Sequence, residues 1–474
     1  MQQHIPFMRP IFVAAWSCVS ILAIWQIKVE RNDTSAVMVA AAVLLASLLL
    51  SSFGLHLSIT TAPMLYLILL GLFHLGLVVP WVLGAYDINR VLWFTPYGLS
   101  RALALITYSL LAYQFGLLAA LRGEAFSDDS TVEHEWKFED SKLFAAGNSL
   151  FLLGALMFVV GLIQLDPVGY YKLTYYDTFR LRAESDPRLF GAGIMFASIG
   201  SCLGVAGAPK RKLWFTFLST GTWAFILFYL GFRGPALIVC LVVYALSLKK
   251  GIEFPRWFPW LCFALLLVAI PIIGMVRDEP LNDRTFDNSI NILDAPAEMG
   301  QSIRPLIETE SLVGPTDYRH GKTYLIALKS IIPNLAFRWQ ASSTEVLDDL
   351  PPSLWITALA DPWTYKNYGG MGFSAIAEPY MNFGVVGVVG YFLLLAYALV
   401  RLEQVSIRSS YALATWGLIL GPMLWTTRND SSNFFRPVVW GLLLLAVLWI
   451  CSTGTSFLAR KKRDGKLMFD SKRV

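Results

Sequence analysis

The chain has 474 residues, of which 56% are hydrophobic and only 15% are charged, and its formal net charge is +5. Ordinary soluble domains carry about a quarter of charged residues, so this composition excludes that class and indicates a membrane protein. The modest positive charge gives no reason to expect a nucleic-acid partner, and we expect none.

Twelve apolar runs have roughly the length of 20 residues that a helix needs to cross a bilayer. In chain order they begin near Pro10, Ala36, Ala62, Ala102, Leu143, Leu189, Leu213, Pro235, Trp257, Ile376, Tyr411 and Val438. We expect the first to be a retained span, because no cleavage site follows it. The sequence therefore predicts an all-α polytopic membrane protein with about 12 transmembrane helices, in which residues 1–474 form one integral membrane domain.

The cations in short loops predict the orientation, because such loops tend to stay cytoplasmic. Lys and Arg residues cluster at 210–212, 249–256 and 460–473. All three clusters lie on the cytoplasmic side only if both termini are cytoplasmic. The outer side then carries 14 arginines and five lysines, whereas the inner side carries nine arginines and ten lysines. Because arginine binds phosphate with two parallel hydrogen bonds, this asymmetry predicts an anionic ligand outside.

Two outer loops stand out between the predicted spans. The longer one, 277–372, is too long and too rich in apolar residues to be a simple connection. Within it, Asn291–Leu312 and Thr323–Ile332 have the apolar spacing of short amphipathic helices, the second ended by Pro333. The loop also holds aromatic rings that could stack on sugars or anchor it at the membrane interface, namely Trp355, Trp363, Tyr365 and Tyr368. The shorter loop, 165–188, is dense in Tyr and Arg.

Arginines mark two candidate sites for a phosphate. Arg233 lies between glycines in the short connection before the span near Pro235, where it could hold a phosphate or merely reach ordinary lipid head groups. The turn 427–436 before the last span packs Arg428, Asp430 and Arg436 into ten residues. Such charge density near a membrane indicates either an arginine–aspartate pair that fixes the turn or a ligand site, and both can hold together.

Two further residues could act as a base. Glu378 stands in an otherwise apolar helical segment, where a carboxylate is a functional-site hypothesis by default, although it could instead neutralise a structural arginine. His320 is the one histidine of the predicted outer loops and could be a base or incidental. The five cysteines all fall in predicted spans and the histidines are dispersed, so neither a disulfide framework nor a metal site is predicted.

The second half of the chain resembles the Wzy-type O-antigen polymerases, bacterial inner-membrane enzymes that join lipid-linked oligosaccharide repeat units. Five stretches carry the resemblance, in this order along the chain. The first three are Gly231–Gly234, Tyr318–Leu325 and Ile332–Pro333. The fourth runs from Gly372 to Gly384 and includes Ser374 and Glu378, and the fifth is Arg428 with Arg436. The family is also described by an arginine followed after ten residues by a glycine in each of two outer loops. Arg180 and Gly191 fit that spacing, whereas the long loop departs from it.

This resemblance implies a glycosyltransferase-C-like architecture and an active site that faces the periplasm. It implies transfer of the growing glycan onto the incoming lipid-linked unit, with release of undecaprenyl diphosphate and without metal or other cofactor. A chain-length-regulating copolymerase, a flippase and membrane lipids are the implied partners. An O-antigen ligase and a lipid-linked oligosaccharide flippase or transporter are the alternatives.

The implied roles divide the candidate residues into three groups. Arg233, Arg428 and Arg436 would bind the diphosphate, and Arg180 the phosphate or the glycan. Glu378 or Asp430, with His320 as a further candidate, would deprotonate the acceptor hydroxyl. The candidates for contact with the glycan are Tyr176, Arg319, Tyr324, Tyr380 and Asn382.

Overall fold

In a computed structural model of the protein, the described residues are 8–29, 33–87, 91, 98–121, 140–165, 172–173, 177–178, 180–181, 188–255, 257–276, 293–332, 347–367 and 369–470. Over these ranges the chain forms helices and no β-strand. Each of the twelve predicted apolar runs coincides with a helix. The prediction of an all-α protein is therefore confirmed.

Among the described residues, six helices are long and apolar enough to cross a membrane. They are Asp33–Gly54, Leu99–Ala120, Ser141–Gln164, Leu189–Gly207, Ala377–Ser406 and Ser432–Cys451. The apolar helices Pro10–Gln26, Ala62–Leu75, Gly234–Lys249 and Phe258–Ile272 are shorter. The protein is thus a multi-pass membrane protein, and the number of twelve spans stays a prediction.

The first ten helices make up most of the bundle. They are α1 (Met8–Val29), α2 (Asp33–Leu49, continued by a π-helical turn Leu50–Gly54), α3 (Ala62–Leu75), α4 (Val78–Val82), α5 (Leu99–Ala120), α6 (Ser141–Gln164), α7 (Arg188–Gly207), α8 (Lys210–Tyr229), α9 (Arg233–Lys249) and α10 (Phe258–Val276).

The remaining helices divide between the long predicted loop and the last three runs. In the loop are α11 (Asp294–Met299), α12 (Ile303–Leu312), α13 (Lys322–Lys329), α14 (Pro352–Ala360) and α15 (Pro362–Lys366). The bundle is completed by α16 (Ala377–Ser406), α17 (Ser410–Thr426) and α18 (Ser432–Asp470).

Glycines allow α6 and α7 to pack backbone against backbone. Gly147, Gly154 and Gly161 recur every seven residues on α6, and α7 carries its own series at Gly193, Gly200 and Gly207. A Cβ on Gly154 would overlap the backbone of Ala197 on α7. Small residues with this spacing let membrane helices approach closely, and this pair is the most extensive helix contact of the fold.

The predicted amphipathic segments of the long loop are helical, with small differences. Asn291–Leu312 contains α11 and α12 separated by a 3₁₀ turn at Gly300–Ser302, and Thr323–Ile332 begins as α13 and ends in a turn. Pro333 and Tyr368 lie outside the described residues. Residues 293–332, 347–367 and 369–376 pack on one end of the bundle, and we call these residues the loop face.

Helix α16 is interrupted at Gly384, and residues of the loop face pack against this break. Gly384 has a left-handed φ of 63°, and a Cβ there would overlap the ring of Tyr318. At the break, the carbonyl oxygens of Met381 and Asn382 accept hydrogen bonds from the backbone amides of Arg319 (3.0 Å) and His320 (3.1 Å). Because buried backbone groups must be paired, these bonds attach the loop face to α16.

A buried charge network lies at the opposite end of α16. The Glu403 carboxylate is paired with Lys249 of α9. Its second oxygen accepts hydrogen bonds from the first amide of α3, at Ala62 (2.9 Å), and from the indole of Trp416 (2.8 Å). The Lys249 ammonium also lies 4.9 Å from the Trp416 ring centroid. This network connects α3, α9, α16 and α17, so it fixes the helices that carry the loop face.

Candidate functional site

Glu378 is the centre of a polar cluster buried under the loop face. Its carboxylate accepts three hydrogen bonds: from the hydroxyls of Thr323 (2.9 Å) and Ser431 (2.6 Å) and from the backbone amide of Ser431 (2.8 Å). Only 4% of the residue is exposed. Three donors compensate for the desolvation of a buried carboxylate, so Glu378 joins α16, α13 and the turn before α18.

Asp430 lies beside Glu378 and is also buried. One carboxylate oxygen accepts from the Ser432 amide (3.1 Å) and the Asn433 side chain (3.3 Å), and the other from the Ser353 amide of α14 (3.0 Å). Both carboxylates therefore sit at the amino terminus of α18, where free amides and the helix dipole favour negative charge. The described partners of Asp430 are thus backbone amides and the Asn433 side chain. The sequence had suggested an ion pair of Asp430 with Arg428 or Arg436.

Asn382 completes this cluster rather than facing the surface. Its side chain is fully buried, donates to the Thr323 hydroxyl (2.6 Å) and the Glu378 carbonyl (2.8 Å), and accepts from the Gly321 amide (2.9 Å). Asn382 and Thr323 thus hold the start of α13 against the break in α16. We call Glu378, Asn382, Thr323, Asp430 and Ser431 the Glu378 cluster.

Two of the three tyrosines predicted to contact the glycan, Tyr324 and Tyr380, lie close to this cluster. Burial raises the pKa of the Tyr324 phenol, and the charge of nearby Glu378 raises it further, so Tyr324 remains a hydrogen-bond donor. Tyr380 is largely buried, with its hydroxyl 3.5 Å from the Val313 carbonyl and its ring edge-on to Tyr318. Tyr324 is the more exposed of the two.

Arg319 and His320 differ sharply in their surroundings. The Arg319 guanidinium lies 4.6 Å from the Trp355 ring centroid and donates to the Asp348 carboxylate (3.2 Å). Burial lowers the pKa of Arg319, and the charges of Asp348 and Asp349 oppose this shift. His320 is exposed and has a left-handed φ of 45°. Arg319 therefore connects two parts of the loop face, and His320 lies at its surface.

Arg428 lines a cleft at the end of α17. Its guanidinium lies 6.0 Å from the Phe73 ring centroid, and the cleft is also lined by Gly234, Glu298 and Trp425. Gly234 is required where it stands, because a Cβ there would overlap the Trp425 ring. The fold thus brings the Arg233–Gly234 start of α9 next to the turn that carries Arg428, although the side chain of Arg233 lies outside the described part of the chain.

The chain before α16 links the cleft of Arg428 to the Glu378 cluster. The Phe373 amide donates to the Arg428 carbonyl (2.8 Å), and Gly372, with φ of 74°, packs on that carbonyl. Five residues further on, the same segment reaches Glu378. The segment before α16 thus connects the turn that carries Arg428 with the buried carboxylate of Glu378.

The remaining candidates lie at other places. Arg436 of α18 is exposed and donates to the Ser330 carbonyl (2.7 Å), so it caps the end of α13. Arg180 is exposed in a short helical segment between α6 and α7. Tyr176 lies outside the described residues. Of the four arginines predicted to bind the diphosphate or the glycan, the structure therefore places Arg428 in the cleft, next to Gly234 at the start of α9.

Comparison with known proteins identifies the family. The family model described as O-antigen polysaccharide polymerase Wzy matches residues 10–461. The chain belongs to this family. It is also similar to Protein CapE of Staphylococcus aureus, with 22% identity over 296 residues that cover 61% of this chain and 62% of CapE. The match thus spans less than two thirds of CapE, and no solved structure matches the chain.

One buried pair in this Wzy-family chain was not singled out from the sequence. His74 of α3 donates from Nδ1 to the Leu70 carbonyl (2.9 Å), so in the neutral ring Nε2 accepts from the Ser374 hydroxyl (2.7 Å). The Ser374 hydroxyl also accepts from the Ile376 and Ala377 amides, at the start of α16. His74 thus positions the segment that leads to Glu378. Its occurrence inside an apolar run was the signal that could have identified it.

Thr323, Ser431 and Ser353 were also missed. Each supplies a hydrogen bond to a carboxylate of the site, but Ser and Thr are common in loops and give no signal by themselves. Among the described residues, no group of three or more His, Cys, Asp or Glu side chains is arranged to hold a metal ion.

Proposed function

We propose that this protein polymerises oligosaccharide repeat units carried on undecaprenyl diphosphate, at the periplasmic side of the bacterial inner membrane. Membership of the Wzy family over residues 10–461 is the observation that carries this proposal. The cleft of Arg428 beside the buried carboxylates supports it, because the reaction needs a cation for the leaving diphosphate and an acceptor for one proton.

In the proposed reaction, the hydroxyl of the incoming lipid-linked unit attacks the anomeric carbon of the growing glycan. The bond from that carbon to the diphosphate oxygen breaks, the new glycosidic bond forms, and the electron pair leaves with undecaprenyl diphosphate. The hydroxyl proton passes to a base. Preorganised guanidinium groups stabilise the charge that develops on the leaving group, and such electrostatic terms are commonly the largest in catalysis.

We assign the diphosphate to Arg428 together with Arg233. The start of α9 lies at the same cleft through Gly234, and the amino terminus of a helix favours an anion. Arg436 and Arg180 remain candidates for contact with the glycan or its phosphate. Glu378 and Asp430 remain candidates for the base, with His320 the more accessible alternative.

A deletion strain tests the reaction class. In a producer of O-antigen, loss of the protein should leave lipopolysaccharide with a single repeat unit on its core, seen as one band above bare core on a gel. Bare core without a repeat would favour a ligase or flippase instead. An unchanged ladder would reject all three functions.

Arg428→Ala tests the site within the same strain. We expect it to abolish the polymer while the protein still inserts in the membrane, because the leaving charge loses its counter-ion. Arg401→Ala is the matched control, since Arg401 is an exposed arginine near the opposite end of α16 and contacts Tyr397 and Gln404. Normal chain lengths in the Arg428 variant would remove that residue from the site.

A further inference from the structure

A groove of about 230 Å³ runs between α7, α9, α17 and α18. Met195, Val239, Leu418 and Pro437 represent its apolar walls, one from each helix. No charged side chain is among the described residues that line it. An occupant of this groove must therefore be apolar over most of its length.

The groove is continuous with the site described above. Ile238 and Trp425 line both the groove and the cleft of Arg428. At the same end, Asn433 lines the groove and donates its side-chain hydrogen bond to Asp430 of the Glu378 cluster. The groove thus has one polar end, at the place where we assign the diphosphate.

We propose that this groove holds the isoprenoid chain of the polyprenyl diphosphate donor while its diphosphate lies in the Arg428 cleft. The inference rests on the proposed function and adds to it where the lipid part of the donor binds. A long apolar chain with one charged end matches an apolar groove that opens into a cleft lined by the charged side chains of Arg428 and Glu298.

The groove positions the donor more than it adds affinity. Lipid tails are as apolar as the helices, so moving an isoprenoid chain from the bilayer into the groove gains little hydrophobic free energy. A chain held between four helices nevertheless fixes the position of the attached diphosphate. Small errors of position at a reacting centre are costly to the rate, so filling the groove should slow turnover of long-chain donors.

Gly191→Leu fills the groove with little risk to the fold. Gly191 lines the groove on α7, and a Cβ there meets no atom within 4 Å. Gly221→Leu on α8 is the matched control, because a Cβ there also meets nothing within 4 Å and Gly221 is not among the groove residues. Both variants and the wild type are purified and reconstituted into lipid nanodiscs.

The assay compares two donors with the same repeat unit, one on undecaprenyl diphosphate and one on farnesyl diphosphate. We expect Gly191→Leu to lower kcat/KM at least about tenfold with the undecaprenyl donor and much less with the farnesyl donor, because the short chain does not need the whole groove. Equal losses with both donors, or no loss with either, would overturn the inference. A wild-type protein inactive on both donors would instead reject the proposed function.

A binding measurement keeps the inference independent of activity. A benzophenone amino acid at Met195, which lines the groove, is irradiated in nanodiscs that contain radiolabelled undecaprenyl phosphate and an excess of phosphatidylglycerol. At Met195 we expect the undecaprenyl chain to be crosslinked well above its share of the lipid. At Phe225, an exposed residue of α8, we expect a benzophenone to crosslink the two lipids in proportion to their amounts. Proportional crosslinking at Met195 would overturn the proposal.

Discussion

Replacing Glu378 separates the two tasks that its carboxylate could have, holding the loop face in place and accepting a proton. In Glu378→Ala the Ser431 amide and the hydroxyls of Ser431 and Thr323 lose their common acceptor. Hydrogen bonds to a charged group contribute about 1.5–3 kcal/mol each, and an unpaired buried amide costs about 1–3 kcal/mol.

The hydroxyls of Ser431 and Thr323 can rotate towards other acceptors. The decrease in the free energy of unfolding of Glu378→Ala should therefore be smaller than the summed contributions of the three hydrogen bonds. We expect a decrease of about 2–5 kcal/mol in the free energy of unfolding, set mainly by the stranded Ser431 amide. In Glu378→Gln the amide oxygen can accept from the Ser431 amide while its NH₂ donates to the hydroxyl oxygens of Thr323 and Ser431. This variant should lose about 1 kcal/mol or less.

The assay is thermal unfolding of the detergent-purified protein, followed by the surviving monomer peak in size-exclusion chromatography, together with the polymer ladder in cells. A stable Glu378→Gln protein without polymer would identify Glu378 as the base. A stable Glu378→Gln variant with normal polymer would show that Glu378 has a structural role only, and Asp430 would then be the next candidate for the base. Equal stability of Glu378→Ala and the wild type would refute the hydrogen-bond argument itself.

Three further predictions concern other parts of the protein. Arg428→Lys keeps the charge but loses the planar fork, so the rate of polymerisation with purified donor should fall on the order of a hundredfold, and an unchanged rate would exclude bidentate phosphate binding. Gly154→Leu should separate α6 from Ala197 of α7 and cost about 1–3 kcal/mol or more, measured as a lower melting temperature or folded yield; unchanged stability would contradict the packing. Glu403→Ala should cost about 3–5 kcal/mol by stranding Lys249, and the additional change Lys249→Met should restore part of the loss, whereas no recovery would argue against the ion pair.

Much of the fold could be predicted because hydropathy and helical spacing are local properties of the chain. Each apolar run coincides with a helix, and the predicted segment Asn291–Leu312 contains the helices Asp294–Met299 and Ile303–Leu312. The interruption at Gly300–Ser302 was not predicted, because it depends on the fit of this turn to the connection between α3 and α4. The break at Gly384 was also not predictable, since it depends on the ring of Tyr318 packing against α16.

The candidate site, like the fold, could be predicted only in part. The density of charge around Arg428 and the carboxylate of Glu378 in an apolar segment could be recognised from the sequence, because charge near a membrane is costly wherever it occurs. Their hydrogen-bond partners could not. Ser353 is 77 positions from Asp430, and Thr323 is 55 positions from Glu378.

The sequence by itself determined that this is a helical membrane protein and which of its charged residues could carry a function. The tertiary structure alone decided that Arg428 shares a cleft with the start of α9, and that Arg436 caps α13. It also decided that His74 supports the segment before α16. The physical reason is that burial, helix propensity and desolvation cost act on neighbouring residues, whereas a site is formed by contacts between segments whose separation along the chain carries no information about their distance in space.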